Sequence, residues 1–241
     1  MKQSHQEANM KINGSVALVT GANRGLGKAF TEALLARGAS KVYAAARDAA
    51  SINDPRVVPL QLDITDPTSV AAAAKQAADV QLLVNNAGIA TGASVLDGDE
   101  ALRREMDTNY FGTVRVAREF APVLAANGGG AIVNVLSVLS WFSLPTTAGY
   151  SASKAAAWAA TNALRQELHG QGTLVTGVHI GYIDTDMAAH VDGPKVPPAD
   201  VVAQVLDGVE EGLPEVLADD LSRQVKAGLS GDLRSLYPAV A

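Results

Sequence analysis

The sequence predicts an α/β fold built on a doubly wound parallel sheet, with helices on both faces. Two observations support this fold class. Short apolar runs recur along the chain, and each is followed by a stretch with helical periodicity. The alternation continues without an internal repeat or a linker-like stretch, so we expect a single domain over residues 11–241.

The first strand-to-helix unit carries a glycine-rich turn. Residues 15–20 form a buried apolar run, residues 28–37 have helical periodicity, and Gly21, Gly25 and Gly27 lie between them. This layout directs backbone N–H groups and a helix N-terminus at a phosphate, as in Rossmann folds. The G-x-x-x-G-x-G spacing differs from the common dinucleotide fingerprint, and the alternative is an ordinary turn.

The residues after the second strand, 41–46, bear on the choice of cofactor. The end of this strand faces the adenosine ribose in folds of this type. Arg47, with Arg24 from the glycine turn, favours a 2′-phosphate and therefore NADP(H), because guanidinium groups grip phosphomonoesters bidentately. Asp48 would oppose this choice if the register shifted by one residue.

The remaining strands and helices follow the same alternation. Strands are predicted at residues 57–62, 80–84, 131–136, 174–180 and 215–218. Helices are predicted from Pro67 to residue 78, over 102–126, from Tyr150 to about 170, and over 201–209 and 221–229. The 102–126 helix is expected to be interrupted near residues 109–112 and again at Pro122. Residues 181–198, rich in Gly, Pro and Asp, are predicted to form an active-site lid.

Tyr150 and Lys154 form a candidate acid/base pair. Four residues apart on one helix, they lie on the same face about one turn apart. The ammonium group and the helix N-terminus are expected to lower the pKa of the Tyr150 phenol below its usual value of about 10. Alone, such a pair also fits a solvated helix face. Ser137, directly after a strand, is the candidate oxygen-binding partner, with Ser140 and Ser143 as alternatives.

Together these motifs resemble the short-chain dehydrogenase/reductase family over residues 12–218. The resemblance rests on an ordered set of matches: Thr20 to Gly27, Asp63, Asn85 to Gly88, Asn109, Ser137, and Tyr150 with Lys154.

The resemblance implies a catalytic tetrad for reversible carbonyl reduction by direct hydride transfer. Tyr150 would act as general acid and base, and Ser137 would bind the substrate oxygen. Lys154 would bond the nicotinamide ribose, and Asn109 would anchor a water in a proton relay. Asn109 is also unfavourable within a helix, so its side chain should be hydrogen-bonded.

The resemblance also implies a set of residues that bind NADP(H). These are Thr20, Gly21, Asn23, Arg24, Gly25, Leu26, Gly27, Arg47, Asp63, Ile64, Asn86, Ala87, Gly88, Tyr150, Lys154, Gly181, Ile183 and Thr185. Asp63 and Ile64 would contact the adenine, and Thr185 the carboxamide. One departure is Ile180, where the family usually has proline, which restores a backbone N–H before Gly181.

The residues expected to line the substrate cleft are apolar: Val138, Leu139, Trp141, Phe142, Leu144, Pro145, Tyr182 and Met187. We therefore expect a hydrophobic ketone or aldehyde as substrate. The alternatives are a 3-oxoacyl- or steroid-type reductase using NAD(H) and, from a different class, a regulatory protein that senses NADP without turnover.

Composition limits the other function classes. The net charge of −6 argues against nucleic acid or anionic membranes as partners, and the chain has no cysteine. Its four histidines lack metal-ligand spacing, so no metal is expected; His190 in the lid is interpreted as a surface residue or a substrate contact.

The remaining expectations concern location and assembly. Residues 1–10 are polar and are interpreted as a disordered leader, either a vector-derived extension or a segment before an internal start at Met10. A cytoplasmic protein is expected. Trp158 is either a packing residue or an interface anchor, since the family often pairs subunits through this helix into dimers or tetramers.

Overall fold

The computed structural model describes residues 10–189 and 191–237, and its centre is a seven-stranded parallel sheet. The strands are β1 (Val16–Thr20), β2 (Lys41–Ala46), β3 (Val58–Gln61), β4 (Leu82–Asn85), β5 (Gly130–Val135), β6 (Thr173–His179) and β7 (Glu215–Leu217). They are ordered β3-β2-β1-β4-β5-β6-β7, with every neighbouring pair parallel. The predicted fold class is confirmed.

Helices cover both faces of this sheet. They are α1 (Gly25–Ala36), α2 (Pro67–Gln76), α3 (Asp99–Glu105), α4 (Thr113–Ala126), α5 (Ala148–Glu167), α6 (Pro198–Glu210), α7 (Asp220–Gly228) and α8 (Leu233–Leu236). One hydrophobic core includes Phe30 of α1 and Val205 of α6, and the other includes Val70 of α2 and Phe120 of α4. Burial on both faces explains why the strands are near-continuous apolar runs.

The long helical stretch differs in detail from the prediction. The interruption near Asn109 is a π-helical segment, Met106–Gly112, that joins α3 to α4 without breaking the chain direction. Gly112 is required there because a Cβ would lie 2.8 Å from the Ile64 side chain. The predicted interruption at Pro122 is wrong, because α4 continues through it to Ala126. Pro122 is exposed, so water can satisfy the carbonyl that loses its helical partner.

The strand order reverses between β1 and β4, which defines a crevice at their carboxyl ends. Thr20 ends β1 and Asn85 ends β4, so the glycine-rich turn and the Asn85–Gly88 segment meet there. Residues 1–9 of the predicted leader, and His190, lie outside the described residues. In the part of the chain that is described, none of the helices combines the length and apolar character needed to cross a membrane.

Candidate active site

The turn between β1 and α1 forms a cradle of backbone donors. Gly21 and Gly25 have left-handed φ values of +66° and +53°, which residues with a Cβ rarely adopt. A Cβ on Gly27 would lie 2.1 Å from the Gly21 carbonyl oxygen, so only glycine allows this close approach. Arg24, the N-cap of α1, makes no side-chain cap, which leaves the first N–H groups of the helix available. The geometry therefore fits a phosphate at the helix N-terminus.

Within this turn, Asn23, Arg24 and Gly25 are exposed and Leu26 is buried beneath them. Thr20 makes a structural contact at the start of this turn. Its side chain is buried, and its Oγ1 accepts the N–H groups of Asn86 and Ala87, each at 3.0 Å. Thr20 therefore ties β1 to β4 and holds the floor of the crevice in place.

The end of β2 presents an exposed guanidinium group. Arg47 is exposed, whereas the Asp48 carboxylate accepts the Ala50 N–H at 3.0 Å and closes a local turn. Nearby, Asp63 accepts the N–H and hydroxyl of Thr65 at 2.9 and 2.7 Å. These hydrogen bonds, with a contribution from the positive charge of Arg47, hold the pKa of the Asp63 carboxyl below its ordinary value. Arg47 and Asp63 thus face the same region.

Asn109 lies in the π-helical segment with its side chain fully engaged. Its Oδ1 accepts the Ile89 N–H at 2.8 Å, and its Nδ2 donates to the Ile89 carbonyl and to Ser153 Oγ, both at 2.9 Å. A Cβ on Gly88 would lie 3.0 Å from Asn109 Oδ1 and 3.7 Å from Lys154 Nζ. Asn109 therefore couples the segment after β4 to α5, next to Lys154.

Ser137 follows β5 at its carboxyl end and is almost fully buried. Its Oγ accepts the Leu139 N–H at 3.1 Å and lies 3.4 Å from the Ile180 carbonyl oxygen. Of its two alternatives, Ser140 is buried and its Oγ accepts the Ser137 N–H at 3.3 Å. The Ser143 N–H donates to the Tyr237 hydroxyl at 3.1 Å. The long contact of the Ser137 hydroxyl to Ile180 leaves this group available to a ligand.

Tyr150 lies in the first turn of α5, with its phenol in hydrogen-bonding range of the Ser137 side chain. Burial raises the pKa of its phenol to about 12; the Ser137 hydrogen bond offsets part of this rise, and the charge of Glu105 adds to it. The expectation of a lowered pKa is wrong for the protein without a bound nucleotide. Lys154 Nζ lies 5.6 Å from the centre of the Tyr150 ring and donates to the Val135 carbonyl at 2.8 Å. Burial also lowers the pKa of Lys154 to about 8.

A buried carboxylate lies against Gly149, the residue before Tyr150. Glu105 is fully buried, and its Oε1 accepts the N–H and hydroxyl of Thr91 at 2.6 and 3.0 Å. In the part of the chain that the structure describes, its Oε2 has no hydrogen-bond partner. A Cβ on Gly149 would lie 2.2 Å from that Oε2. Gly149 therefore admits the carboxylate to the N-terminal turn of α5, where the helix dipole stabilises a negative charge.

The lid folds back on itself over the glycine-rich turn. Ile183 pairs with Val196, and the Thr185 side chain lies 3.4 Å from the Cβ position of Gly25. Arg24 pairs with Asp186 of the lid at 3.6 Å, with both side chains exposed.

The start of the lid is held by the C-terminal part of the chain. The Gly181 N–H donates to Asp219 at 2.5 Å, and Leu221 of α7 lies 3.1 Å from the Gly181 Cβ position. The segment after β7 therefore forms one side of the cleft.

The residues predicted to line the substrate cleft divide into two groups. Leu144, Tyr182 and Met187 are exposed, along with Pro145, whereas Val138 and Leu139 are buried and Phe142 is half-buried. The Trp141 ring is half-buried and stacks on His179, with centroids 3.8 Å apart. Trp158 packs edge-on against Trp141 at 6.3 Å, which supports the packing interpretation of Trp158.

Several residues that shape the site were not singled out from the sequence. Asn85 donates to Asn134 of β5, and Asn134 donates to Thr161 of α5, both at 2.9 Å, which links two strands to the catalytic helix through the core. An asparagine inside the apolar run 131–136 was a usable signal for this link. Glu105 and His179 had no such signal, because an acid near a helix end and a single histidine are common on protein surfaces.

Comparisons with known proteins agree with this arrangement. The family model described as short chain dehydrogenase matches residues 15–195. The chain is 34% identical over 197 residues to dehydrogenase/reductase SDR family member 7B of Xenopus laevis, a match that covers 73% of this chain and 61% of that protein. It is 32% identical over 242 residues to the 3-oxoacyl-(acyl-carrier-protein) reductase FabG of Vibrio cholerae, covering 96% of this chain and 90% of that one.

A crystal structure of a short chain dehydrogenase from Burkholderia cenocepacia, in complex with NADP, superimposes with a TM-score of 0.91. It is 46% identical in sequence, and the match covers 95% of this chain and 98% of that chain.

Proposed function

The chain belongs to the short-chain dehydrogenase family, and from this membership we propose that it reduces an apolar ketone or aldehyde to an alcohol, reversibly, with NADPH. The observation that carries the proposal is the convergence of Ser137, Tyr150 and Lys154 at the carboxyl end of β5, beside the phosphate cradle of α1. Residues from three separate stretches of the chain thus meet where ligands bind in open parallel sheets.

In the proposed mechanism, the protein binds and orients the nucleotide and the substrate, and it protonates the substrate oxygen. A bound nicotinamide supplies the hydride. Ser137 Oγ donates to the substrate oxygen in place of its long contact with Ile180, and it stabilises the negative charge that develops there. Tyr150 transfers its phenolic proton to that oxygen. Lys154 exchanges its contact with Val135 for the nucleotide ribose and returns a proton towards Tyr150.

The raised pKa of Tyr150 favours the reductive direction near neutral pH. With its pKa raised to about 12 in the protein without nucleotide, the phenol is protonated near neutral pH, so the acid required for reduction is present. Alcohol oxidation requires the phenolate, and its rate is therefore expected to increase with pH.

NADPH is favoured over NADH by the charges at the adenosine end of the crevice. Arg47 is exposed at the end of β2, Arg24 is exposed above the glycine-rich turn, and the Asp48 carboxylate is engaged with its own turn. Two guanidinium groups at this end of the crevice suit a 2′-phosphate. The Burkholderia relative, which is bound to NADP, supports the same choice.

An apolar substrate is favoured by the side chains exposed around the cleft. Leu144, Tyr182 and Met187 are exposed on the flanking loops, and Leu221 lies against Gly181. Burial of such side chains by a ligand stabilises a complex by about 25 cal/mol per Å². The second candidate is a 3-oxoacyl thioester, which is favoured by the likeness to the Vibrio reductase over almost the whole of both chains.

The test is a steady-state assay of reduced nicotinamide consumption with a panel of carbonyl compounds. Aryl and alkyl ketones and aldehydes are compared with 3-oxoacyl thioesters and with sugars, each with NADPH and with NADH. We expect the highest kcat/KM for apolar ketones or aldehydes with NADPH. Activity confined to charged or carrier-linked substrates would contradict the substrate proposal, and a preference for NADH would contradict the cofactor proposal.

Tyr150→Phe separates catalysis from nucleotide sensing. The variant keeps the ring and loses the proton donor, so we expect NADPH binding to be retained while turnover falls about 10²–10⁴-fold. Binding is measured by nucleotide fluorescence and turnover by the assay above. A wild-type protein that binds NADPH but reduces nothing in the panel would favour the regulatory alternative.

The proposal extends to assembly and location. We propose a homo-oligomer, a dimer or a tetramer, which light scattering coupled to size-exclusion chromatography will test. A cytoplasmic location also remains a prediction, to be tested by fractionation of cells that express the full chain.

A further inference from the structure

A fully buried histidine lies behind the proposed catalytic serine. His179 is the last residue of β6, the strand next to β5, and its Nδ1 lies 3.1 Å from the backbone carbonyl oxygen of Ser137. Trp141 stacks on the imidazole with centroids 3.8 Å apart and planes 14° apart, and Trp158 packs edge-on at 6.4 Å. The ring is therefore fixed in position and orientation.

The contact with Ser137 determines where the imidazole carries its proton. A carbonyl oxygen only accepts hydrogen bonds, so the proton must lie on Nδ1. Burial, with smaller contributions from the positive charges of Lys226 and Arg165, lowers the pKa of His179 to about 4, against the raising effect of the Ser137 carbonyl. Near neutral pH the ring is thus uncharged, with hydrogen on Nδ1 and none on Nε2.

The other ring nitrogen is consistent with this assignment. Nε2 is buried and has no hydrogen-bond partner among the described residues. Glu215 Oε1 lies 3.7 Å away, beyond hydrogen-bonding distance. Glu215 is itself paired with Lys226 of α7. The Ser137 hydroxyl contacts Ile180 and Leu139, and His179 contacts the Ser137 carbonyl instead, so the arrangement is not that of a nucleophilic serine with a histidine base.

His179, the last residue of β6, and Ile180, the residue after it, both hydrogen-bond to a single peptide group. The His179 side chain holds the carbonyl oxygen of the peptide that joins Ser137 to Val138, and the N–H of the same peptide donates to the Ile180 carbonyl at 2.9 Å. The plane of this peptide is thus pinned at both ends. Because this peptide begins at the Cα of Ser137, its orientation restrains the backbone from which Ser137 Oγ projects.

We propose that His179 is a positioning residue for carbonyl reduction, whose uncharged Nδ1–H holds the Ser137 carbonyl so that Ser137 Oγ faces the substrate oxygen. This inference rests on the proposed function, in which Ser137 binds that oxygen. Small errors in the orientation of such a donor reduce stabilisation of the transition state more than they reduce ground-state binding.

Two near-isosteric variants separate positioning from packing. Both His179→Asn and His179→Leu lose the stacked imidazole, but the Asn amide nitrogen can occupy the place of Nδ1 and donate to the Ser137 carbonyl. We expect His179→Leu to lower kcat about tenfold, the upper range for loss of one neutral hydrogen bond, with NADPH affinity unchanged. His179→Asn is expected to recover most of the loss. Equal loss of kcat in both variants would reduce His179 to a packing residue and overturn the proposal.

A control variant addresses the opposite side of the ring. Glu215→Gln changes the group that faces Nε2 and leaves the Ser137 contact in place, so kcat should remain at the wild-type value. A loss in Glu215→Gln as large as that in His179→Leu would mean that the Nε2 side, and not the Ser137 contact, carries the effect, and would overturn the proposal.

Side-chain ¹⁵N NMR on the full chain tests the central claim without any substrate. At neutral pH, His179, assigned by the signals missing from His179→Asn, should show the tautomer protonated on Nδ1. Protonation on Nε2 would refute the inference, because such a ring cannot donate to the Ser137 carbonyl. Failure of the proposed function would instead appear as a wild-type protein inactive on every carbonyl compound, so the two failures are distinguishable.

Discussion

Gly149→Ala is expected to lower the free energy of unfolding, although helix propensity alone would raise it. Gly149 lies in the first turn of α5, directly before Tyr150, and its φ is not positive, so the backbone accepts alanine. The side chains around Gly149, however, leave no room for the Cβ of alanine. A Cβ there would lie 2.2 Å from Glu105 Oε2, 2.7 Å from Leu102 Cδ2 and 3.2 Å from Leu102 Cα.

The magnitude follows from two opposing effects. Alanine within a helix is favoured over glycine by about 1 kcal/mol. Against this, the Cβ would lie more than 1 Å inside the ordinary contact distance of 3.4 Å, and Glu105 is restrained by its 2.6 Å hydrogen bond to Thr91. Overpacking of this kind costs about 1–3 kcal/mol. We therefore expect a net loss of up to about 2 kcal/mol in the free energy of unfolding, with a displaced Tyr150 and a lower kcat.

The assay compares urea unfolding and kcat of Gly149→Ala with those of a matched glycine. Gly228 lies at the end of α7, and a Cβ there would meet nothing within 4 Å, so Gly228→Ala should be neutral or stabilising by up to about 1 kcal/mol. Adding Glu105→Ala to Gly149→Ala should recover part of the loss, as a positive coupling in a double-mutant cycle. If Gly149→Ala were as stable and active as Gly228→Ala, the steric argument would be refuted.

The remaining predictions concern the nucleotide, pH and metals. Arg47→Ala should weaken NADPH binding by about 1–3 kcal/mol while NADH binding changes little; equal losses in a titration with each nucleotide would mean that Arg47 does not face the 2′-phosphate. His179 is held neutral in the folded protein, because burial lowers its pKa from 6.5 to about 4. Below pH 6.5 the unfolded chain binds a proton that the folded protein does not bind until about pH 4, so stability should fall across this window. In pH-dependent unfolding, His179→Asn should lose that component, and an unchanged slope would contradict the assignment. Chelation with EDTA should leave the rate of carbonyl reduction unchanged, and a loss that added Mg²⁺ or Zn²⁺ restores would show that a metal is required.

Most of the secondary structure was predictable because it depends on local patterns. The predicted second strand coincides with β2 (Lys41–Ala46), and the other strand bounds agree within two residues. Apolar runs punctuated by glycine and asparagine identify buried strands regardless of their partners. Pro122 was misjudged because the tolerance of a helix for proline depends on whether the freed carbonyl reaches solvent, and exposure is a tertiary property.

The sequence was sufficient to name candidate site residues, but not to predict the electrostatics around them. Ser137, Tyr150 and Lys154 were selected from the order and spacing of motifs in the sequence. The pKa of Tyr150 was predicted with the wrong sign, since spacing along a helix reveals a neighbouring Lys154 but not burial or Glu105. A pKa depends on all charges and on the solvent within several ångströms, most of them distant in sequence.

The sequence by itself determined the α/β alternation, the glycine-rich turn before α1, and which serine, tyrosine and lysine could meet at one sheet edge. Only the tertiary structure decided what surrounds them. It placed a buried carboxylate against Gly149 and bonded Thr20 to the segment after β4. It also placed His179, at the end of β6, against the Ser137 carbonyl and two tryptophan rings. Backbone periodicity is a short-range property that residues carry with them. The burial, tautomer and hydrogen-bond partners of a side chain depend on its surroundings, and those surroundings form only when distant segments pack together.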